Sequence, residues 1–350
     1  MSLQSQYKKF TETISLTRQD SGYKDAREKD DLIYGKIKVA FKEEKYDISD
    51  TFLLGSMGVY TGIKPIDGDH DIDRAIVVTK ESSPENPIDI KKVVKKVLKD
   101  HGFSDPKIKK PCITADYKNK PIHIDYVVFR IDDNDDNADI ELAVGKETSN
   151  EDNRKWDESD PKGLKSWLVW EGEGKSTEER AQYYRLVRIM KRWRDYKYTD
   201  VKKRKKVYSI GLAVMLKEKI CFSIDENGKA DDHLALRNTI DNILADNTYF
   251  KKDIFSTLLG EVKYDLIVNL PKSPNRDIFD NHGKTVGTTL RERLSKLRDI
   301  LDEVTEQKNL KNQCEILEKS AFGNDFPIPS DNEKREQTDS SGVMSVSSGA

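Results

Sequence analysis

Asp71-Ile72-Asp73 runs straight into Arg74-Ala75-Ile76-Val77-Val78. This junction of paired acids and apolar residues constrains the chain more than any other. An apolar run of this kind reads as a strand, and side chains in a strand alternate faces. Asp71 and Asp73 therefore point the same way, with Ile72 opposite and the run beyond entering a sheet. Two carboxylates this close repel unless a cation lies between them, and hard oxygen ligands select Mg²⁺ or Mn²⁺. A third acid, Asp125, sits in Ile122-His123-Ile124-Asp125-Tyr126. There Ile122, Ile124, Tyr126 and Val128 face one way, and His123 and Asp125 the other. Upstream, Thr51-Phe52-Leu53-Leu54 reads as a strand ending in Gly55-Ser56. That turn should open a short helix, and its N–H groups and hydroxyl suit phosphate oxygens. Three acids on one face of adjacent strands are costly without a metal. Together these are the parts needed to hold a nucleoside triphosphate through divalent ions.

Composition narrows the classes further. The 350 residues suffice for two domains of ordinary size. Lys and Arg number 61 against 63 Asp and Glu, a balance that disfavours a chain built to coat DNA or RNA and leaves room only for a local basic groove. Cys112, Cys221 and Cys314 are isolated and odd in number; they suit a reducing compartment and form no zinc constellation. The N-terminus lacks an apolar signal core and no stretch is long enough to span a bilayer, so the expectation is a soluble cytoplasmic protein without membrane partners.

Along the chain, helical spacing of Ile33, Ile37, Ala40 and Phe41 predicts a helix over 25–46. Ile88, Ile90, Val93, Val94, Val97 and Leu98 predict an amphipathic helix capped by Gly102. Cys112 to Tyr117 and Pro121 to Arg130 flank Lys118-Asn119-Lys120, a hairpin turn. Residues 131–165 are acidic and poor in apolar side chains, and read as a surface excursion linking two domains. Ser176-Thr177-Glu178-Glu179 is a capping box. The helix behind it should bury Tyr183, Leu186, Val187, Met190 and Trp193. Residues 209–219 are apolar nearly all round, which predicts a buried helix. Leu290, Leu294, Leu297, Leu301 and Val304 predict a long packing helix over 284–318. The Ser/Gly-rich end cannot bury anything and should be disordered. The expected division is a helix and α/β palm at 1–165, a helical lobe at 166–329 and a disordered tail at 330–350.

Several signals mimic other chemistry. Gly172-Glu173-Gly174-Lys175-Ser176 resembles the end of a phosphate loop, but Val169 stands where that loop needs glycine. Asp67, Asp69, Asp71 and Asp73, like Asp133, Asp135 and Asn137, mimic the start of a calcium loop without its glycine or final glutamate. Asp69 could replace Asp73 in the metal pair; the apolar strand directly after Asp73 favours Asp71 and Asp73. The basic stripe Arg185, Arg188, Arg192 and the run Lys202 to Lys206 read first as solvated faces. His123 shares a face with Asp125, which suits a supporting role more than a ligand role.

Taken together, Leu53-Leu54-Gly55-Ser56-Met57-Gly58, Asp71-Ile72-Asp73 and Asp125 resemble the polymerase-β-like nucleotidyltransferases. Within them the chain is similar to the cGAS/DncV-like branch, the CD-NTases of bacterial CBASS antiphage systems. Leu186-Val187-Arg188-Ile189-Met190-Lys191 with Tyr208-Ser209-Ile210-Gly211-Leu212, then residues 270–277 and 321–327, resemble later segments of that branch. The zinc thumb of animal cGAS has no counterpart. The resemblance implies an α+β fold: a nucleotidyltransferase palm with an N-terminal spine helix, plus a C-terminal helical lobe, forming a two-lobed cage. It implies two Mg²⁺ (or Mn²⁺) ions on Asp71, Asp73 and Asp125, the donor phosphates on Gly55 and Ser56, and Lys191 and Ser209 closing from the other lobe. It raises the functional weight of the basic stripe on the same helix. NTP substrates, ATP with a second purine nucleotide or ATP alone, would be joined into a cyclic di- or trinucleotide that activates a separate effector. No sequence-specific nucleic-acid partner is implied. The terminal Gly349-Ala350 resembles tails conjugated by E1/E2-like partners. Two alternatives share these residues: a template-independent transferase acting on RNA, a small molecule or a protein, and an inactive nucleotide-binding module.

Overall fold

The alternation read from residues 71–78 organises one lobe. In a computed structural model that describes residues 2–330 apart from 69, 118–121, 134–139, 255 and 257–259, β2 (His70–Thr79) lies inside a seven-stranded sheet. It pairs antiparallel with β1 (Ile48–Leu53) and parallel with β5 (Ile122–Ile131). Beyond β5 come β4 (Ile113–Asp116) and β3 (Lys107–Ile108), with β6 (Ile140–Val144) and β7 (Lys155–Ser159) branching from β5. Ile72, Ile76 and Val78 bury against Ile33, Ile37 and Phe41 of α2 (Ser21–Glu43) and Ile90, Val94 and Leu98 of α4 (Pro87–Asp100). The opposite face carries Ala75, Val77, Phe129, Leu142 and Val144. Asp71 and Asp73 belong to that second face by strand alternation. Asn86 caps α4 at its start, and His101 with left-handed Gly102 ends it, as the spacing predicts.

A buried ion pair locks α2 to the sheet. Arg74, beside Asp73 but on the helix face, donates from Nε (2.9 Å) and Nη2 (2.7 Å) to the two oxygens of Asp30. Its guanidinium lies over the Tyr34 ring at 4.4 Å. Asp30 is inaccessible to solvent, so removing either partner would strand a charge.

The second core is helical; its lobe includes the short helices α5 (Pro161–Leu168) and α7 (Val201–Arg204). α6 (Thr177–Lys197) starts with the Ser176/Glu179 capping box and buries Tyr183, Leu186, Val187, Met190 and Trp193. It packs on α8 (Ser209–Lys219), which is buried almost all round. α9 (Asp232–Ala245) and the helix Gly283–Glu306 complete the core.

Four expectations need correction. The first helix, α1 (Leu3–Ile14), was not anticipated, and its Tyr7, Phe10 and Ile14 lie in the C-terminal core beside Phe322 and Phe326. The Tyr7 hydroxyl is 3.0 Å from Nδ1 of His233. By packing, then, residues 3–14 join the helical lobe, although a boundary at 165 places them with the palm. Residues 131–165 are more than a connection, because β6 and β7 extend the palm sheet over five paired positions. The helix over 284–318 is two helices, Gly283–Glu306 and Leu310–Leu317; Gln307 is extended and Asn309 caps the second. The helix over 25–46 starts earlier, at Ser21. The hairpin turn, the alternative ligand Asp69 and the tail with Gly349-Ala350 lie outside the described residues.

Candidate active site

The parallel register of β2 and β5 sets Asp73 directly beside Asp125 and Asp71 beside His123. Asp71 is exposed and Asp73 half-buried. The turn after β1 is fixed against them, since Leu54 N–H donates to the Asp73 carbonyl at 2.9 Å. Gly55 follows with φ 63° and opens the short helix α3 (Gly55–Gly58), where Ser56 is exposed. Burial, then the charge of Asp125, then that of Asp71, raise the Asp73 carboxyl to about 7, against the opposing effect of Lys109. Asp125 is oriented from β4: the Thr114 hydroxyl donates to its Oδ1. The Lys109 ammonium lies 3.7 Å from the same oxygen. The neighbouring Cys112 thiol is pushed up to about 12, by burial first and Asp125 second. It stays protonated at neutral pH and is no nucleophile. His123 turns to Asp116.

Among the described residues, no three His, Cys, Asp or Glu side chains already stand together at metal-ligand spacing. The chemistry of the donor set nevertheless fits a hard divalent ion. It offers oxygen donors, and burial first, with repulsion by the charge of the register neighbour Asp125 and then of Asp71 adding to it, raises the pKa of Asp73. A cation is the remedy for that repulsion.

Asp71 and Asp73 open onto a cavity of about 1020 Å³, whose lining does not include Asp125. Asp71, Asp73, Gly55 and Ser56 line its palm side; Lys191, Tyr208 and Ser209 line the helical side. Two sets of contacts join the lobes. Lys191 Nζ donates to the Thr61 carbonyl (2.8 Å) and hydroxyl (2.9 Å). Separately, the Ser273 hydroxyl donates to Glu158, and Asp160 N–H donates to the Ser273 carbonyl at 3.2 Å. Burial, then Arg194 and Arg188, lower the Lys191 ammonium to about 7. Ser209 begins α8, and its hydroxyl accepts from Arg194 Nη1 at 2.6 Å, leaving its own proton to donate into the cavity.

The basic stripe is corrected from a solvated face or a phosphate clamp to a set of packed structural contacts. Arg185 pairs with Asp232 and Glu178 within the helical lobe. Arg188 and Arg192 donate to the carbonyls of Tyr60 (2.5 Å) and Lys64 (2.8 Å). From the lysine-rich run, Arg204 crosses to Asp67 at 3.0 Å. The lobes are thus clamped along residues 60–67, next to α3. Lys175 likewise belongs to the cap, bonding Glu179.

Sequence reasoning missed Thr61, Lys109, Thr114 and Arg194. Folding the predicted hairpin about its turn sets Thr114 opposite Ile124, one residue from the observed partner Asp125, and that slip hides the contact by turning it to the other face. Thr61 and Lys191 are 130 residues apart, and no local pattern joins them.

Comparison with known proteins agrees with this architecture. Residues 49–129 match the model of the family described as cyclic GMP-AMP synthase DncV-like, nucleotidyltransferase domain. No curated protein sequence matches the chain. Among solved structures, the CdnC of E. coli MS115-1 in its complex with HORMA-deltaN superimposes with a TM-score of 0.63 at 13% identity, over 92% of this chain and 98% of that one. The CD-NTase CdnG of Bradyrhizobium diazoefficiens, in complex with GTP, gives 0.61 at 13% identity, over 93% and 96%. The cyclic AMP-GMP synthase DncV of Vibrio cholerae gives 0.59 at 18% identity, over 93% and 82%. At these identities the likeness is one of fold: the chain shares the two-lobed α+β architecture of these structures, and the stretch that matches the DncV-like model lies within its palm.

Proposed function

We propose that the chain is a cyclic-oligonucleotide synthase. It joins nucleoside triphosphates, ATP with a second purine nucleotide or ATP alone, into a cyclic di- or trinucleotide for an antiviral effector. The observation that carries this reading is the meeting of Asp71, Asp73, Gly55 and Ser56 with Lys191 and Ser209 across one cavity, in a palm that matches the DncV-like model. The cavity's 1020 Å³ stands at the top of the range for a single small ligand, roughly 300–1,000 Å³, and suits two nucleotides held together. Contacts between the lobes at Lys191–Thr61 and Ser273–Glu158 disfavour a groove left open for an RNA chain. Among the described residues no helix is long and apolar enough to cross a membrane.

Asp71, Asp73 and Asp125 would hold two Mg²⁺ or Mn²⁺ ions, which supply activation of the acceptor hydroxyl and charge neutralisation of the leaving pyrophosphate. The chain's own contribution is placement. Gly55 and Ser56 offer backbone N–H groups and a hydroxyl to the donor phosphates. Ser209, oriented by Arg194, donates from the opposite wall. Lys191 gains a phosphate partner that its burial leaves it poised to accept. Walls on both sides exclude water, so the linear product is retained for the second bond.

Mass spectrometry of the reaction tests this. Purified protein with Mn²⁺ and all four triphosphates should yield a species whose mass is the sum of its nucleoside monophosphates less one water per linkage, with as many linkages as nucleotides. A mass that retains a triphosphate or an added acceptor would replace the reading with terminal nucleotide addition.

A further inference from the structure

Lys109 stands where few lysines are found, over a carboxylate of the acidic face. It sits at the turn between β3 and β4, whose Lys109 N–H donates to the Cys112 carbonyl at 2.9 Å. The turn is held from beneath by a second lysine. Lys91 of α4 is inaccessible to solvent, and its ammonium donates to three carbonyls: Lys109 (3.1 Å), Lys110 (2.8 Å) and Gly145 (3.1 Å). An ammonium has three donors, and two are used on this turn and the third on Gly145, just past β6. Gly145 N–H closes the cage by donating to Lys110 at 3.0 Å. The backbone of Lys109 is therefore fixed, while its side chain stays half exposed and reaches Asp125 Oδ1 at 3.7 Å.

We propose that Lys109 is a tethered counter-ion for the acidic face: it neutralises Asp125 while no divalent ion is bound, and must be displaced when one arrives. It thereby sets the metal concentration at which the site fills. This rests on the assignment of Asp125 as a metal ligand. The loose, half-exposed geometry is what a displaceable partner requires. A pair of this kind is worth about 0.2–1 kcal/mol, so competition with it shifts metal affinity by about 1.4- to fivefold. Lys110, the next residue, lines the cavity, while the ion pair to Asp125 is made by Lys109, which makes Lys110 the control.

Mn²⁺ binding to the full chain by titration calorimetry provides the test, with Lys109→Gln, Lys110→Gln and Asp125→Asn variants. Lys109→Gln should bind Mn²⁺ about 1.4- to fivefold more tightly than wild type, and Lys110→Gln should change less. In an Asp125→Asn background the effect of Lys109→Gln should vanish. In EDTA the Lys109→Gln protein should melt below wild type, and saturating Mn²⁺ should remove the gap. Unchanged Mn²⁺ affinity in Lys109→Gln, or an equal gain in the Asp125→Asn background, overturns the counter-ion role alone. Failure of the wild type to bind Mn²⁺ overturns both the role and the metal-site reading beneath it.

Discussion

Gly55 and Asp73 are packed so closely that a Cβ at position 55 would stand 2.2 Å from Oδ2 of Asp73. The turn that should hold phosphate and the strand that should hold metal are thus one steric unit, and glycine is required twice over, for its φ of 63° and for this contact. Gly55→Ala should destabilise the fold by about 1–2 kcal/mol through backbone strain. Its larger effect should be on catalysis. Displacing the Asp73 carboxylate by about 1 Å should lower kcat about a hundredfold, measured beside a urea titration that shows the protein still folded.

Thr114→Val removes the hydroxyl that orients Asp125 while keeping the side chain's shape. Loss of such a supporting contact typically costs about 10- to 100-fold in metal affinity or activity. Steady-state rates across a Mn²⁺ series should show the loss, with circular dichroism unchanged.

Lys191 carries a pH signature. Its folded-state pKa, about 7, lies below the ordinary 10.5, so between these values the unfolded chain binds more protons than the folded one. Stability therefore rises with pH across that window. The cost of burying the ammonium is fully present below pH 7 and disappears above 10.5. Melting temperatures of wild type and Lys191→Met from pH 7 to 10 should show wild type gaining on the variant as pH rises. The same variant should raise KM for the nucleotide.

Arg74→Met leaves Asp30 buried with only Arg27 as an ion partner on its own helix. A loss of about 3–5 kcal/mol is expected in urea unfolding. Removing both charges together with Asp30→Leu should recover much of that loss.

The palm was legible because its signals are local. Strand alternation around Asp71, Asp73 and Asp125 gave their shared face, and Gly102 marked a helix end, as Ser176 did in the helical lobe. α1 escaped notice because Tyr7, Phe10 and Ile14 are scattered among Gln, Lys and Thr, and their partners Phe322 and Phe326 lie at the far end of the chain. β6 was obscured by the acidity of the segment around its apolar run Ile140 to Val144. β7 is recognisable mainly through the strand it pairs with. The stripe on α6 looked solvated because its acceptors are carbonyls of Tyr60 and Lys64, distant in sequence and invisible to charge patterning.

The most direct test of ring closure is phosphatase resistance. The protein would be incubated with Mg²⁺ or Mn²⁺ and the four labelled triphosphates, treated with phosphatase and resolved, beside an Asp71→Ala/Asp73→Ala control. A resistant product absent from the control, changing as each triphosphate is withheld, is the predicted result. Products from the wild type that phosphatase always degrades to nucleosides or open-ended oligomers would contradict the account.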